Sequence, residues 1–158
     1  MTSALAQQTP PSDDAPKTWV ESPAPPPPAI DLQRLIPVYV GPASSLSYGI
    51  DPHSITIDGK DRVVRYVIVA RSTSGTVNVL YDGIRCETGE IKTYARAGAD
   101  GQWRPQDKAQ WRDIDGRLSA AYGVALIEGG LCIGKVPNGP AARIIDALRH
   151  GGLPAQQG

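Results

Sequence analysis

At 158 residues the chain is long enough for one domain with a core and too short for two ordinary domains and a linker. Hydrophobic residues make up 41% and charged ones 20%, a globular balance, yet Phe is absent and the single Met comes first, so aromatic core volume falls to six Tyr and three Trp. Sixteen Lys and Arg offset sixteen Asp and Glu, which leaves no net field to draw nucleic acid or anionic lipid and argues against both as partners.

No apolar run approaches the roughly 20 residues of a bilayer span, so no transmembrane segment is expected. Ala4-Leu5-Ala6 has the small-x-small pattern of a signal-peptidase site and is followed by the polar Gln7-Gln8-Thr9-Pro10. The triplet reads either as the remnant of a signal peptide or as an arbitrary Ala-containing tail. From Pro10 to Pro28 prolines recur among small and polar residues, ending in Pro25-Pro26-Pro27-Pro28. Proline lacks the donor that regular pairing needs, so residues 1–29 are expected to form a disordered, semi-stiff spacer that buries little. The tract also has the chemistry of a ligand for an aromatic groove. Trp19-Val20 is its one apolar interruption, placed to dock back on the domain.

A single globular domain is expected over 30–152, with 153–158 as a frayed tail. Leu35 to Val40 is an apolar run stopped by Gly41-Pro42. Ser54 to Ile57, the turn dipeptide Asp58-Gly59 and Arg62 to Arg71 read as a hairpin, with Val64, Tyr66, Ile68 and Ala70 on one face. Thr76 to Tyr81 alternates again, and Asp82-Gly83 suggests a bulge or bend before Ile84-Arg85-Cys86. After Glu87-Thr88-Gly89 another strand runs from Glu90 to Arg96. Reversals this short give an antiparallel meander. Leu118, Ala121, Tyr122, Ala125 and Leu126 share one helical face, although Gly123 weakens a helix and Val124 to Ile127 also suits a buried strand. A C-terminal helix begins at Gly139-Pro140, carries the stripe Ala141, Ile144, Ile145 and Leu148, and ends at Gly151-Gly152. The expected class is α+β, a mostly antiparallel sheet of four to six strands with one or two helices on one face; a small sandwich or partly closed barrel is the alternative.

Few motifs carry chemistry. Gly129 to Lys135 matches GxxxxGK, but Val136 replaces the magnesium-holding hydroxyl and Pro137 blocks the helix a phosphate would cap, so a Gly-rich turn is the better reading. With two histidines, His53 and His150, and no zinc spacing, no metal site and no cofactor are expected. Nothing local lowers the pKa of Cys86 or Cys132 as a nucleophile would require. Asp58, Asp61, Asp82, Glu87, Glu90, Asp113 and Asp115 are carboxylates available for glycoside chemistry, though carboxylates at turns ordinarily solvate them. No catalytic residue is therefore assigned. Gln102-Trp103-Arg104 and Gln110-Trp111-Arg112 repeat a unit that suits sugar stacking or partner contact. The simpler reading has both rings closing the open side of the sheet. Arg62, Arg65, Arg71, Arg85, Lys92 and Arg96 stud the strands and make a basic sheet face or ordinary solubilising charge.

Val63-Val64-Arg65-Tyr66, Ser74-Gly75-Thr76-Val77-Asn78-Val79, Tyr81-Asp82-Gly83-Ile84-Arg85-Cys86 and Lys92-Thr93-Tyr94-Ala95, with Trp103, Trp111 and Cys132, resemble the CNP1-like family over Leu35 to Gly134. The resemblance implies an exported proteobacterial envelope domain and supplies no reaction. In a reducing cytoplasm two buried thiols would stay free, whereas in an oxidising periplasm an even count of two favours a bond. The Ala4-Leu5-Ala6 triplet and the resemblance both point to the periplasm of a Gram-negative cell, so a Cys86–Cys132 disulfide is expected. The functional expectation is a non-catalytic binding or assembly module for an envelope protein or polymer, with Arg65, Arg85, Trp103, Arg104, Trp111 and Arg112 as its contact residues. A small glycan hydrolase using Asp82 and Glu87 is the competing class.

Overall fold

The computed structural model describes residues 18–114 and 121–151. Leu118 of the proposed helical face, Asp115, the Ala4-Leu5-Ala6 triplet and the 153–158 tail lie outside them.

The sheet is built from β1 (Ile36–Val38), β2 (Leu46–Ile50), β4 (Val64–Ser72), β5 (Val77–Arg85), β6 (Glu90–Ala97) and β7 (Arg104–Pro105), side by side in that order and antiparallel throughout. Two short pieces complete its edges. β3 (Thr56–Ile57) pairs with the start of β4, beyond the part that β2 covers, and β8 (Arg112–Asp113) pairs with the start of β6. A separate hairpin joins β9 (Cys132–Ile133) to β10 (Val136–Pro137) across Gly134-Lys135, so the GxxxxGK stretch is a turn and not a phosphate loop.

Two helices cover one face. α1 (Ala121–Leu126) continues into a π-helical turn at Ile127–Leu131 that breaks where Gly130 takes φ 119°, a conformation that glycine adopts without a steric penalty. α2 (Ala141–Arg149) starts after Pro140 and buries Ile144 and Ala147; the chain leaves it through Gly151 at φ 78°. Tyr122, Leu126, Leu131 and Ile144 meet Val64, Tyr66, Ile68, Leu80, Ile84 and Ile91 in the main core. The sheet and its helices thus form an α+β domain, not a sandwich or barrel.

β4 is buried on both faces from Val64 to Ala70. Its even positions point to the helices, as its alternation predicts. The odd positions Val67 and Val69 join Val79, Tyr81, Ala95 and Ala97 in a second apolar cluster, against which Ile30, Leu35, Tyr94 and Trp103 pack. This face is covered by the chain's own leader. From Trp19 to Pro28 it lies across the sheet and is hydrogen-bonded to it at several points, which corrects for these residues the expectation that the proline-rich stretch buries little; residues 1–17 of that stretch lie outside the described residues. Prolines forbid a sheet ladder, but their carbonyls still accept, and the sheet's side chains supply the donors.

The carboxylate cradle on the leader face

Glu21 is the centre of the leader's attachment. Its carboxylate accepts from Tyr94 Oη at 2.7 Å, Lys92 Nζ at 3.0 Å and Trp111 Nε1 at 3.0 Å, and Arg65 Nη2 stands 3.6 Å away. Partial burial alone would raise the Glu21 carboxyl, but the Tyr94, Lys92 and Trp111 hydrogen bonds together hold it below the ordinary glutamate range.

Each donor is positioned by the sheet. Tyr81 pairs with Ala95 and Asp82 with Thr93, so β6 spends one extra residue, Tyr94, at this point. That bulge turns Tyr94 towards the leader beside Lys92. The ring lies so close to β5 that a Cβ on Gly83 would sit 2.8 Å from Tyr94 Oη and 2.8 Å from Val63 Cγ1, and only glycine leaves the room. The bulge thus falls beside Tyr81/Asp82 with its extra residue on β6, not at Asp82-Gly83 where a bulge or bend was expected, and Gly83 is the residue that lets the Tyr94 ring approach.

Beside the cradle a second set of contacts fixes Trp19 and Ser22. Asp61, fully buried, receives Arg65 Nη2 at 2.9 Å, the Ser22 N–H at 2.8 Å and the Val63 N–H at 2.9 Å. The Asp61 carbonyl accepts from the Trp19 indole at 2.9 Å. The Arg85 guanidinium stacks 3.6 Å from the centre of the Trp19 ring while Nη1 reaches Glu90 at 3.3 Å, and Trp19 meets Trp111 edge to face at 5.7 Å. Further along, Tyr81 Oη donates to the Pro25 carbonyl at 3.1 Å and Trp103 Nε1 to the Pro28 carbonyl at 3.0 Å.

The six expected contact residues thus divide. Arg65, Arg85, Trp103 and Trp111 converge on the leader. Arg65 is 1% exposed, and it is a buried ion-pair residue and not a surface cation. The two rings close the open side of the sheet, the simpler of the two readings. Arg104 and Arg112 stay exposed, Arg104 paired with Asp100 at 2.7 Å. Glu21 and Ser22 are not among the expected contact residues, and their only signal in the sequence is the apolar Trp19-Val20 inside a polar tract; Tyr94 enters the sequence reading only within the family-like Lys92-Thr93-Tyr94-Ala95.

The carboxylates of the competing reading lie apart in character. Asp82 is fully buried under the helices, where Thr93 Oγ1 donates at 2.8 Å and the Tyr66 and Tyr122 hydroxyls also donate. Burial raises its carboxyl, against the hydrogen bonds of Tyr122 and Thr93. Glu87 is exposed and lines an open groove of about 290 Å³ with Asp61, Arg62, Arg85, Cys86, Lys135, Val136 and Pro137, a lining that does not include Asp82. Among the described residues no three His, Cys, Asp or Glu side chains gather as a metal-binding set. No helix among them is long and apolar enough to cross a membrane.

Cys86 at the end of β5 and Cys132 at the start of β9 are joined by a disulfide, with Cα atoms 5.7 Å apart. The bond ties the β9–β10 hairpin to the central sheet. No curated protein and no solved structure matches the chain. The family model described as the CNP1-like family matches residues 14–149, a span that takes in the docked leader as well as the sheet and both helices, and the chain belongs to that family.

Proposed function

We propose that this domain is a non-catalytic binding or assembly module of the Gram-negative cell envelope, working in the periplasm on an envelope protein or polymer. The observation that carries the reading is the cradle: Arg65, Lys92, Tyr94 and Trp111, from two strands and a loop, converge on one carboxylate. Such convergence is how proteins recognise an acidic group. The compartment is supported by the Cys86–Cys132 bond, since disulfides persist where the environment is oxidising, and by the Ala4-Leu5-Ala6 triplet. Arg104 and Arg112 are exposed and add to the surface available to a partner.

The test is made in the native cells with the protein as encoded there. A photo-activatable residue at exposed Gln110 is expected to give an adduct with an envelope component in the periplasmic or membrane fraction. Replacing Arg104 and Arg112 together should weaken the adduct without unfolding the domain, because exposed cations contribute about 0 to 1 kcal/mol to folding. Retention in the cytoplasm with no adduct would refute the proposal.

A further inference from the structure

The docked leader makes its contacts with a period of three. The carbonyls of Ser22, Pro25 and Pro28 accept, in turn, from Arg65 Nη2 at 3.3 Å, Tyr81 Oη at 3.1 Å and Trp103 Nε1 at 3.0 Å. Polyproline II has three residues per turn and no internal hydrogen bonds, so carbonyls spaced by three lie along one side and stay free to accept. A row of donors carried by aromatic side chains and an Arg is the surface that recognises such a helix. Among the described residues, every hydrogen bond from the leader to the sheet uses at least one side chain, and none extends the sheet ladder. The donors, in turn, sit on β4, β5 and β6 and beside β7 and β8, whose ladders do not depend on the leader. The face is therefore built as a receptor, and the leader occupies it as a ligand would.

The fit leaves something over. Arg65 is 1% exposed, its Nε has no hydrogen-bond partner, and its Nη2 is 3.6 Å from Glu21 but 2.9 Å from Asp61. A carboxylate seated closer to that guanidinium would satisfy it better than Glu21 does.

Resting on the reading of the domain as a binding module, we propose that the leader-covered face of the sheet is a receptor groove for an extended, proline-containing peptide segment of a partner protein, bearing one carboxylate for the Arg65, Lys92, Tyr94 and Trp111 cradle. Residues 19–28 fill the groove in cis until the partner displaces them. Charge selects the acidic residue, and the three-residue period selects the polyproline II backbone. A tethered ligand competes at an effective concentration of about millimolar, so the partner must bind through both features at once.

The probe is a fluorescent synthetic peptide of residues 17–30, titrated into the full chain and followed by anisotropy. Trp19→Ala combined with Glu21→Ala loosens the resident segment while leaving the groove intact, and circular dichroism checks that the variant is folded. The peptide is expected to bind this variant at least tenfold more tightly than it binds the wild-type chain. Binding should weaken at least tenfold when the peptide itself carries Glu21→Ala, or when Lys92→Ala is added to the protein, a second variant that leaves the core untouched. The proposal is overturned if the peptide fails to bind a folded variant whose 18–28 segment has become protease-sensitive, or if a scrambled peptide binds equally well. It is also overturned if the variant forms dimers that exclude the peptide, since the occupant is then a second copy of this chain. The peptide titration reads the groove alone, so it can fail while the compartment and the adduct at Gln110 stand, and the reverse.

Discussion

Glu21 and Tyr94 are 73 positions apart in sequence, yet the Tyr94 hydroxyl donates to the Glu21 carboxylate at 2.7 Å. That bond joins the leader to the bulge of β6 and makes a proline-rich stretch the third layer of the fold.

Removing the charge tests the cradle. Glu21→Gln keeps the shape but weakens the contacts to Lys92 and Arg65, and charge-assisted hydrogen bonds contribute about 1.5–3 kcal/mol. The substitution should expose the 18–28 segment to protease while the thermal midpoint of the sheet core falls by only a few degrees. Because the cradle holds the Glu21 carboxyl below its ordinary value, the wild-type attachment is complete above the free glutamate range and is lost as pH falls through the lowered value. Protease sensitivity of the segment should therefore rise on acidification in the wild type and be high and nearly flat with pH in Glu21→Gln.

Gly83→Ala tests why β5 carries glycine beside the β6 bulge. The added methyl meets Tyr94 Oη and Val63 Cγ1 at 2.8 Å each, and Val63 is buried and unable to withdraw. Overpacking of this kind costs about 1–3 kcal/mol. Chemical denaturation should show that loss, together with release of the leader, because the Tyr94 ring is displaced from Glu21.

On the opposite face, Asp82 makes the stability of the domain depend on pH in the other direction. Burial raises its carboxyl, so its favourable contribution is present below the free aspartate range and declines as pH rises through the raised value. Asp82→Asn does not titrate. The stability of the wild type relative to Asp82→Asn should thus be greatest at low pH and diminish towards neutrality, measured by urea unfolding of both proteins across that range. A relative stability that increases with pH would show that the carboxylate is favoured where it lies.

The disulfide closes a span of 46 residues, which the chain-entropy treatment values at about 4 kcal/mol. Cys86→Ala with Cys132→Ala should lower unfolding stability by that order, in non-reducing denaturant titrations. The wild type, reduced before unfolding, should behave similarly.

The meander was legible in the sequence because β4 to β6 alternate and are divided by turn residues; Asp82-Gly83 pointed to the neighbourhood of the bulge but not to its extra residue, Tyr94 of β6. α2 was legible from its proline start, apolar stripe and terminal glycine. The leader's docking was legible only at Trp19-Val20. Composition reports that prolines form no ladder, but it does not report the side-chain donors that wait for the leader's carbonyls some 40 to 75 positions away. Arg65 illustrates the same limit: an outward Arg on a strand reads as a solvent-facing charge until a segment from elsewhere in the chain covers it. Asp61 likewise reads as a turn residue, and only the arrival of Ser22 and Arg65 makes it a buried anchor.

Proton NMR of the full wild-type chain in solution shows whether the leader is seated on the sheet through Trp19 and Glu21. Nuclear Overhauser contacts are expected between the Trp19 ring and the Trp111 ring, whose centres are 5.7 Å apart, and between the Trp19 ring and the Arg85 side chain stacked on it. Slow exchange is expected of the Trp19 indole proton, which is bonded to the Asp61 carbonyl. A Trp19 indole with free-peptide shifts, rapid exchange and no contact to Arg85 or Trp111 would mean that the leader is not seated there.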